Sequence, residues 1–316
     1  MILDSIKWVF FGGSEFSVHV LDELKVHGIL PSLIITTPDK PKGRKLVLTP
    51  TPVKLWAGEH GIEVLDPKSL KKDNADLVVR LKSGDYDLFM VASYGKIIPA
   101  EIFEIPQKKT LNIHPSLLPK YRGASPIQSQ ILNDEKEVGV TIMQIDEEMD
   151  HGPIVIQKKV EFQRDDTPPP SPLTNGEGAG GEVLSWPISR KELEKILATE
   201  GARLFAHILP EWMIGAMDPI MQNEEKATYC DKIEKEHGEM EIDLNDLGKN
   251  ARENFLKIKA FEEWPTAYFF TERGGKNIRV IVTEAELDQA GSLKILKVIP
   301  EGKREMPFVD FMRGQK

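Results

Sequence analysis

Short apolar runs alternate with helically spaced apolar positions through the first half of the chain. The run Trp8-Val9-Phe10-Phe11 predicts a buried strand over residues 8–12, closed by Gly12-Gly13. Phe16, Val20, Leu21 and Leu24 then recur at helical spacing up to Gly28. Further strands are predicted over 33–36, 62–65, 88–92, 110–113, 140–144 and 154–160. Helices are predicted over 52–60, with Pro52 in the first turn, and around 75–81. Strands alternating with helices imply a mainly parallel sheet with right-handed crossovers, an α/β, Rossmann-like domain.

The rhythm breaks at 167–187, where Pro168, Pro169, Pro170, Pro172 and Pro187 mix with Gly176, Gly178, Gly180 and Gly181. Such a segment cannot complete a ladder and reads as a flexible insertion over about 168–187. Leu193, Ile196, Leu197, Leu204, Ile208 and Leu209 give a helix over 191–217 its apolar face. Beyond Met221 the pattern predicts a helix over 244–258. Short, turn-bounded segments at 267–270, 278–283, 293–299 and 308–312 then suggest a small C-terminal β-barrel, OB-like in size. The expected organisation is a catalytic domain over 1–217, a linker over 218–228 and the β-barrel domain over 229–316.

Composition narrows the class. With 316 residues, 40% hydrophobic and 29% charged, the chain matches an ordinary globular protein and neither a disordered tail nor a collagen-like repeat. The apolar run at 6–11 is too short for a signal peptide and lacks a basic leader, and no apolar stretch reaches the roughly 18 residues of a membrane span. A single cysteine, Cys230, permits no internal disulfide, so a cytoplasmic protein is expected. The 41 Lys+Arg against 50 Asp+Glu leave a net charge of −9, which argues against non-specific nucleic-acid binding. The one compact basic cluster is Lys40, Lys42, Arg44 and Lys45.

The chemistry-bearing stretch is 111–153. Asn112 and His114 stand two apart at the carboxyl end of a predicted strand and so share one side of it, and Asp150 lies in a loop between two further strands. Ligands of open α/β sheets bind at such strand ends. An amide donor, an imidazole and a carboxylate suit acyl transfer to an amine, with Asn112 opposite a developing oxyanion and His114 with Asp150 moving the proton. The same residues also fit a bland reading, in which Asn112 and His114 satisfy loop backbone and Asp150 is a turn residue. Gly12-Gly13 lacks the third glycine of a dinucleotide fingerprint. The seven histidines show no spacing for a metal set, and none is expected.

The wording of the stretch resembles the folate-dependent formyltransferase family. LNIHPSLLPKYRGASPIQ over 111–128, followed by GVTIMQIDEEMDHGPIV over 139–155, is similar to that family's N-x-H-x-S-L-L-P loop and its aspartate loop ending D-x-G. The resemblance implies that Asn112 holds the formyl oxygen, His114 polarises the formyl group or shuttles the proton, and Asp150 positions His114. It implies 10-formyltetrahydrofolate as donor, without a metal. Further similarities extend along the chain: FGGSEF at 11–16, TTPDKPKGRK at 36–45, TPVK at 51–54, ASYGKIIP at 92–99, IKAFEEWPTA at 258–267 and PEGK at 300–303. These look most like the members that act on methionyl initiator tRNA. By that likeness Lys40, Lys42, Arg44 and Lys45 would reach the tRNA. Ala92, Tyr94, Gly95, Ile97, Ser116, Leu117, Leu118, Pro119 and Asp146 would line the folate site, in a cleft between 92–99 and 146–150. Glu148 and His151 depart from the glycine and threonine frequent at their positions.

Three other readings stay open at this level. A sugar-nucleotide N-formyltransferase would share the trio and carry an extra domain, but has no need of the basic loop. A glycinamide ribonucleotide formyltransferase would leave 221–316 unexplained. A tRNA-binding module with a decayed site is disfavoured by the intact trio. A monomer is expected, since no oligomerisation signal stands out.

Overall fold

The computed structural model describes residues 6–42, 46–71, 74–163 and 185–313, with the side chain of Lys42 excepted. The chain divides into two compact units. The first takes in Met1–Gly123, Glu137–Val160 and Glu194–Tyr229; the second takes in Ala124–Lys136, Glu161–Leu193 and Cys230–Lys316.

In chain order, the first unit contains β1 (Trp8–Gly12), α1 (Glu15–Val26), β2 (Leu33–Ile35), β3 (Lys40–Lys42), β4 (Val47–Thr49), α2 (Pro52–His60), β5 (Val64–Leu65), α3 (Ala75–Ser83), β6 (Leu88–Ala92), α4 (Ala100–Phe103), β7 (Thr110–His114) and β8 (Arg122–Gly123). The chain then forms α5 (Pro126–Leu132), which belongs to the second unit, before β9 (Val138–Gln144) and β10 (Ile154–Val160) complete the sheet of the first. Its seven strands run in the order β10-β9-β7-β6-β1-β2-β5. From β5 to β7 every pairing is parallel, and β9 and β10 are antiparallel additions at one edge. The mainly parallel sheet expected from the alternation is therefore present.

Every residue of the central strands β1 and β6 is buried, as unbroken apolar runs covered on both faces should be. Local chemistry sets the turns at their carboxyl ends. The Ser17 hydroxyl accepts from the Gly13 amide at 3.0 Å and donates to the Ala92 carbonyl at 2.6 Å, joining the ends of β1 and β6. A Cβ on Gly12 would stand 2.5 Å from the Phe10 ring and 2.8 Å from Ser17, so only glycine fits there. The helix α6 (Arg190–Met213) lies against the sheet at Gly201, where a Cβ would come within 2.5 Å of Ile113 and 3.0 Å of Val140. That close approach fixes the back of β7, the strand that carries Asn112 and His114. No helix among the described residues is long and apolar enough to cross a membrane.

The second unit holds α5, β11 (Tyr229–Cys230) in part, α7 (Ala251–Ala260), β12 (Tyr268–Arg273), β13 (Lys276–Leu287), β14 (Leu293–Pro300), β15 (Met306–Pro307) and α8 (Phe308–Arg313). Its sheet is an antiparallel meander in the order β12-β13-β14-β15, which is the form the small β domain takes. Helix α5 packs on α7. Asp134, just past α5, accepts from Arg252 of α7 at 2.9 and 3.0 Å and from the Trp186 indole at 2.7 Å.

Two expectations are corrected here. The helix predicted over 244–258 starts only at Ala251, because the Asp243 and Asp246 carboxylates accept from the amides of Asn245 and Gly248 and hold that stretch in turns. The segment at 308–312 is helical, with Phe308 and Phe311 buried three residues apart on one face. Of the expected insertion, 168–184 lies outside the described residues. Trp186 belongs to an ordered segment: it is buried against Phe162, and Ser185 bridges Gln163.

Candidate active site

Asn112 pairs in register with Val91 of β6 and Met143 of β9, and His114 with Thr141 of β9. Both therefore sit where β7 meets the antiparallel edge, at its carboxyl end. Asn112 is half-buried and His114 is buried. The loop that follows is folded upon itself. Ser116 donates its hydroxyl to the Lys120 carbonyl at 2.7 Å, while Thr141 donates to the Ser116 carbonyl at 2.6 Å and accepts from the Leu118 amide at 3.0 Å. Leu118 is buried; Leu117 and Pro119 are half-buried. In this state the Ser116 hydroxyl shapes the loop.

The loop returns the Tyr121 carbonyl to His114, whose Nε2 lies 3.0 Å away. A carbonyl only accepts, so Nε2 carries a proton. On the other side of the ring, Nδ1 faces the Asp150 carboxylate at 3.5 Å. Asp150 also accepts from the Gly123 amide at 2.8 Å, and its backbone adopts a left-handed conformation with φ 55°. Burial opposes protonation of the imidazole, but the adjacent Asp150 carboxylate and the Tyr121 carbonyl outweigh it and raise His114 above the ordinary histidine value. Burial likewise opposes ionisation of Asp150, yet His114, the Gly123 amide and Arg122 hold the carboxyl below its ordinary value. The site contains a buried imidazole and carboxylate, each shifted by the other toward its charged form, next to a strand-borne amide.

The residues expected around the donor fall into two groups. Ala92 ends β6 and is fully buried; Tyr94 is buried with its ring edge-on to Phe11; Gly95 and Ile97 are exposed. The Tyr94 hydroxyl is buried with no hydrogen-bond partner among the described residues, and burial pushes it far above the ordinary phenol range. Ile145 packs on the cluster that contains Tyr94 and Ile98, while Asp146 lines a cavity with Phe103, Glu104, Lys109 and Thr110. The Asp146 carboxylate itself accepts from the Glu148 amide at 3.1 Å and pairs with His151 at 2.6 Å. That pairing leads the causes that raise His151.

Of the basic cluster, Lys40 is on β3 and contributes to lowering Lys96, behind the effect of burial. The segment is pinned at its base by Lys54, which pairs with Asp39 at 2.8 Å and Asp66 at 2.7 Å. Arg44, Lys45 and the side chain of Lys42 lie outside the described residues. No group of three or more His, Cys, Asp or Glu among the described residues is placed to hold a metal ion.

The sequence reading missed Arg122, Gln222 and Glu224. The Arg122 guanidinium is 1% exposed, donates to Gln222 at 2.8 and 3.1 Å, and pairs with Glu224 at 2.6 Å. These partners are about a hundred residues apart, so no local period announces them. An arginine in an otherwise apolar and glycine-bounded loop is the only hint.

The fold is of the α/β class, with Asn112, His114 and Asp150 brought together at the carboxyl edge of the sheet. Residues 6–170 match the family described as Formyl transferase, and the chain belongs to that family. A methionyl-tRNA formyltransferase from a Sulfurihydrogenibium species is 38% identical over 263 residues, 83% of this chain and 76% of the relative. The methionyl-tRNA formyltransferase of Thermodesulfovibrio yellowstonii is 35% identical over 98% of this chain and 96% of its own. Among solved structures, HypX from Aquifex aeolicus in complex with tetrahydrofolic acid aligns with TM-score 0.56 at 16% identity, over 97% of this chain and 47% of that one.

Proposed function

We propose that the protein transfers a formyl group from 10-formyltetrahydrofolate to the α-amino group of methionyl initiator tRNA, in the cytoplasm and as a monomer. The observation that carries this reading is the placement of His114 between the Asp150 carboxylate and the Tyr121 carbonyl, two residues beyond Asn112 on the same strand. In the reaction the uncharged amine attacks the formyl carbon and a C–N bond forms. Asn112 donates to the oxyanion that develops. The bond to the folate nitrogen then breaks, and the proton lost by the amine passes through the His114–Asp150 pair to that nitrogen. Neither a metal nor a covalent enzyme intermediate is needed for this balance.

The donor would lie between 92–99 and 146–150, with Tyr94 on the first of these segments. Ala92, Gly95, Ile97, Ser116, Leu117, Leu118, Pro119 and Asp146 would complete its surroundings. Lys40, Lys42, Arg44 and Lys45 would meet acceptor-end phosphates, and residues 229–316 would add further tRNA contacts. Because residues 231–316 carry 15 Lys+Arg against 17 Asp+Glu, tRNA binding is expected to be weak and salt-sensitive, with its positive footprint local. The test offers the folate donor with methionyl initiator tRNA, a nucleotide-linked amino sugar or glycinamide ribonucleotide. Formylation of the tRNA alone is expected; formylation of the amino sugar alone would replace this reading with the sugar-nucleotide one.

A further inference from the structure

We infer that Gln222 is a positioning residue of the formyl-transfer site: one side-chain amide, oriented by Arg122, clamps the aspartate loop so that the Asp150 carboxylate faces His114. The inference rests on the proposed reaction. Asp150 has a left-handed φ of 55°, which is unfavourable for a residue with a Cβ and must be held by its surroundings. Gln222 supplies that hold from outside the loop. Its Nε2 donates to the backbone carbonyls of Asp150 and of Gly152, each at 2.8 Å, and so spans the turn on both sides of His151.

The amide has only one workable orientation. Arg122 only donates, through Nε at 3.1 Å and Nη2 at 2.8 Å, so the Gln222 oxygen must face it, and the two loop carbonyls only accept, so the nitrogen must face them. Arg122 is in turn fixed by Glu224 at 2.6 Å and by the Tyr229 hydroxyl at 3.2 Å. Gly123, the next residue, donates its amide to the Asp150 carboxylate at 2.8 Å. Backbone and carboxylate of Asp150 are thus both tied to the Arg122–Gly123 segment, one through Gln222 and one directly. Gln222 is 8% exposed while its neighbours Ile220 and Met221 are exposed, and burial of an amide without such hydrogen bonds would be costly.

The charged groups around the clamp are Arg122, Glu224, His151, His114 and Asp150. Gln222→Glu separates the two ends of the relay. It keeps the volume and strengthens the pairing with Arg122, while placing an acceptor against two carbonyls. Expected are a folded protein, kcat on methionyl initiator tRNA reduced by about tenfold to 100-fold, and a His114 titration displaced to lower pH, read by NMR of histidine-labelled full-length protein without substrates. A kcat within about twofold of the wild type, or a loss of kcat without displacement of the His114 titration, overturns the inference. If Gln222→Glu does not fold, Gln222→Met is judged by the same two readings; failure of both to fold assigns Gln222 to the scaffold and also overturns it. A wild-type protein inactive on methionyl initiator tRNA would instead overturn the proposed reaction, and the NMR titration would still decide the role of Gln222.

Discussion

Nδ1 of His114 stands 3.5 Å from Oδ1 of Asp150, while Nε2 of the same ring stands 3.0 Å from the Tyr121 carbonyl. A ring between two acceptors is best satisfied when both nitrogens carry protons. The carboxylate that stabilises this form also controls when the ring can give a proton up. The carboxylate favours the protonated ring, which suits a residue proposed to hold a proton in transit between two nitrogens.

The pair makes stability depend on pH in a defined direction. His114 is raised, so its contribution is full below the ordinary histidine range and is lost as pH rises through the raised value; Asp150 is depressed, so its contribution is present above the ordinary carboxylate range and is lost as pH falls through the depressed value. The destabilisation caused by Asp150→Asn, measured by urea unfolding, is therefore expected to be largest between about pH 4 and 6.5. The same variant should lower the His114 titration and the turnover, with activity reduced by about 100-fold or more. An unchanged His114 titration in Asp150→Asn would remove the carboxylate as the cause.

Asn112 is half-buried on β7 and proposed to face the reacting oxygen. Asn112→Ala should lower kcat by about 100-fold to 1000-fold with little change in the melting temperature. Steady-state kinetics beside thermal denaturation checks this, and a melting loss proportionate to the activity loss would make Asn112 a structural residue.

Gly201 holds α6 close behind β7, the strand that carries Asn112 and His114. Gly201→Val would push into Ile113 and Val140, and is expected to destabilise by about 1–3 kcal/mol in denaturant unfolding. Because Ile113 lies between Asn112 and His114, activity should fall even under conditions where the variant is folded.

In the second unit, Asp134 ties α5, α7 and Trp186 together. Asp134→Ala should cost about 1–2 kcal/mol, since the buried indole N–H loses its acceptor. Urea unfolding of the wild type and the variant measures the change, and an unshifted transition would show that the contact is not maintained in solution.

Sequence pattern carried the first unit because its strands are short apolar runs and its helices open on recognisable chemistry: Pro52 follows a Thr51 whose side chain accepts from the Lys54 amide. The Asn112–His114 spacing was legible because a strand's two-residue period puts both on one side. Asp150 stood out as a carboxylate in a loop between strands, but the network behind it did not. Arg122, Gln222 and Glu224 meet across about a hundred residues, and such polar networks leave no periodic trace. The second unit was less legible because turn-forming aspartates at 243 and 246 displaced a helix start, and because an apolar run as short as 308–312 fits either a strand or a helical turn until its neighbours are known.

The most direct test is a single-turnover measurement with donor labelled in the formyl carbon, methionyl initiator tRNA as acceptor, and wild-type protein beside His114→Ala. The wild type should move the label onto the methionyl amine, while the folded variant binds the donor and moves essentially none. Label transfer by His114→Ala at the wild-type rate, or none by the wild type, would contradict the account.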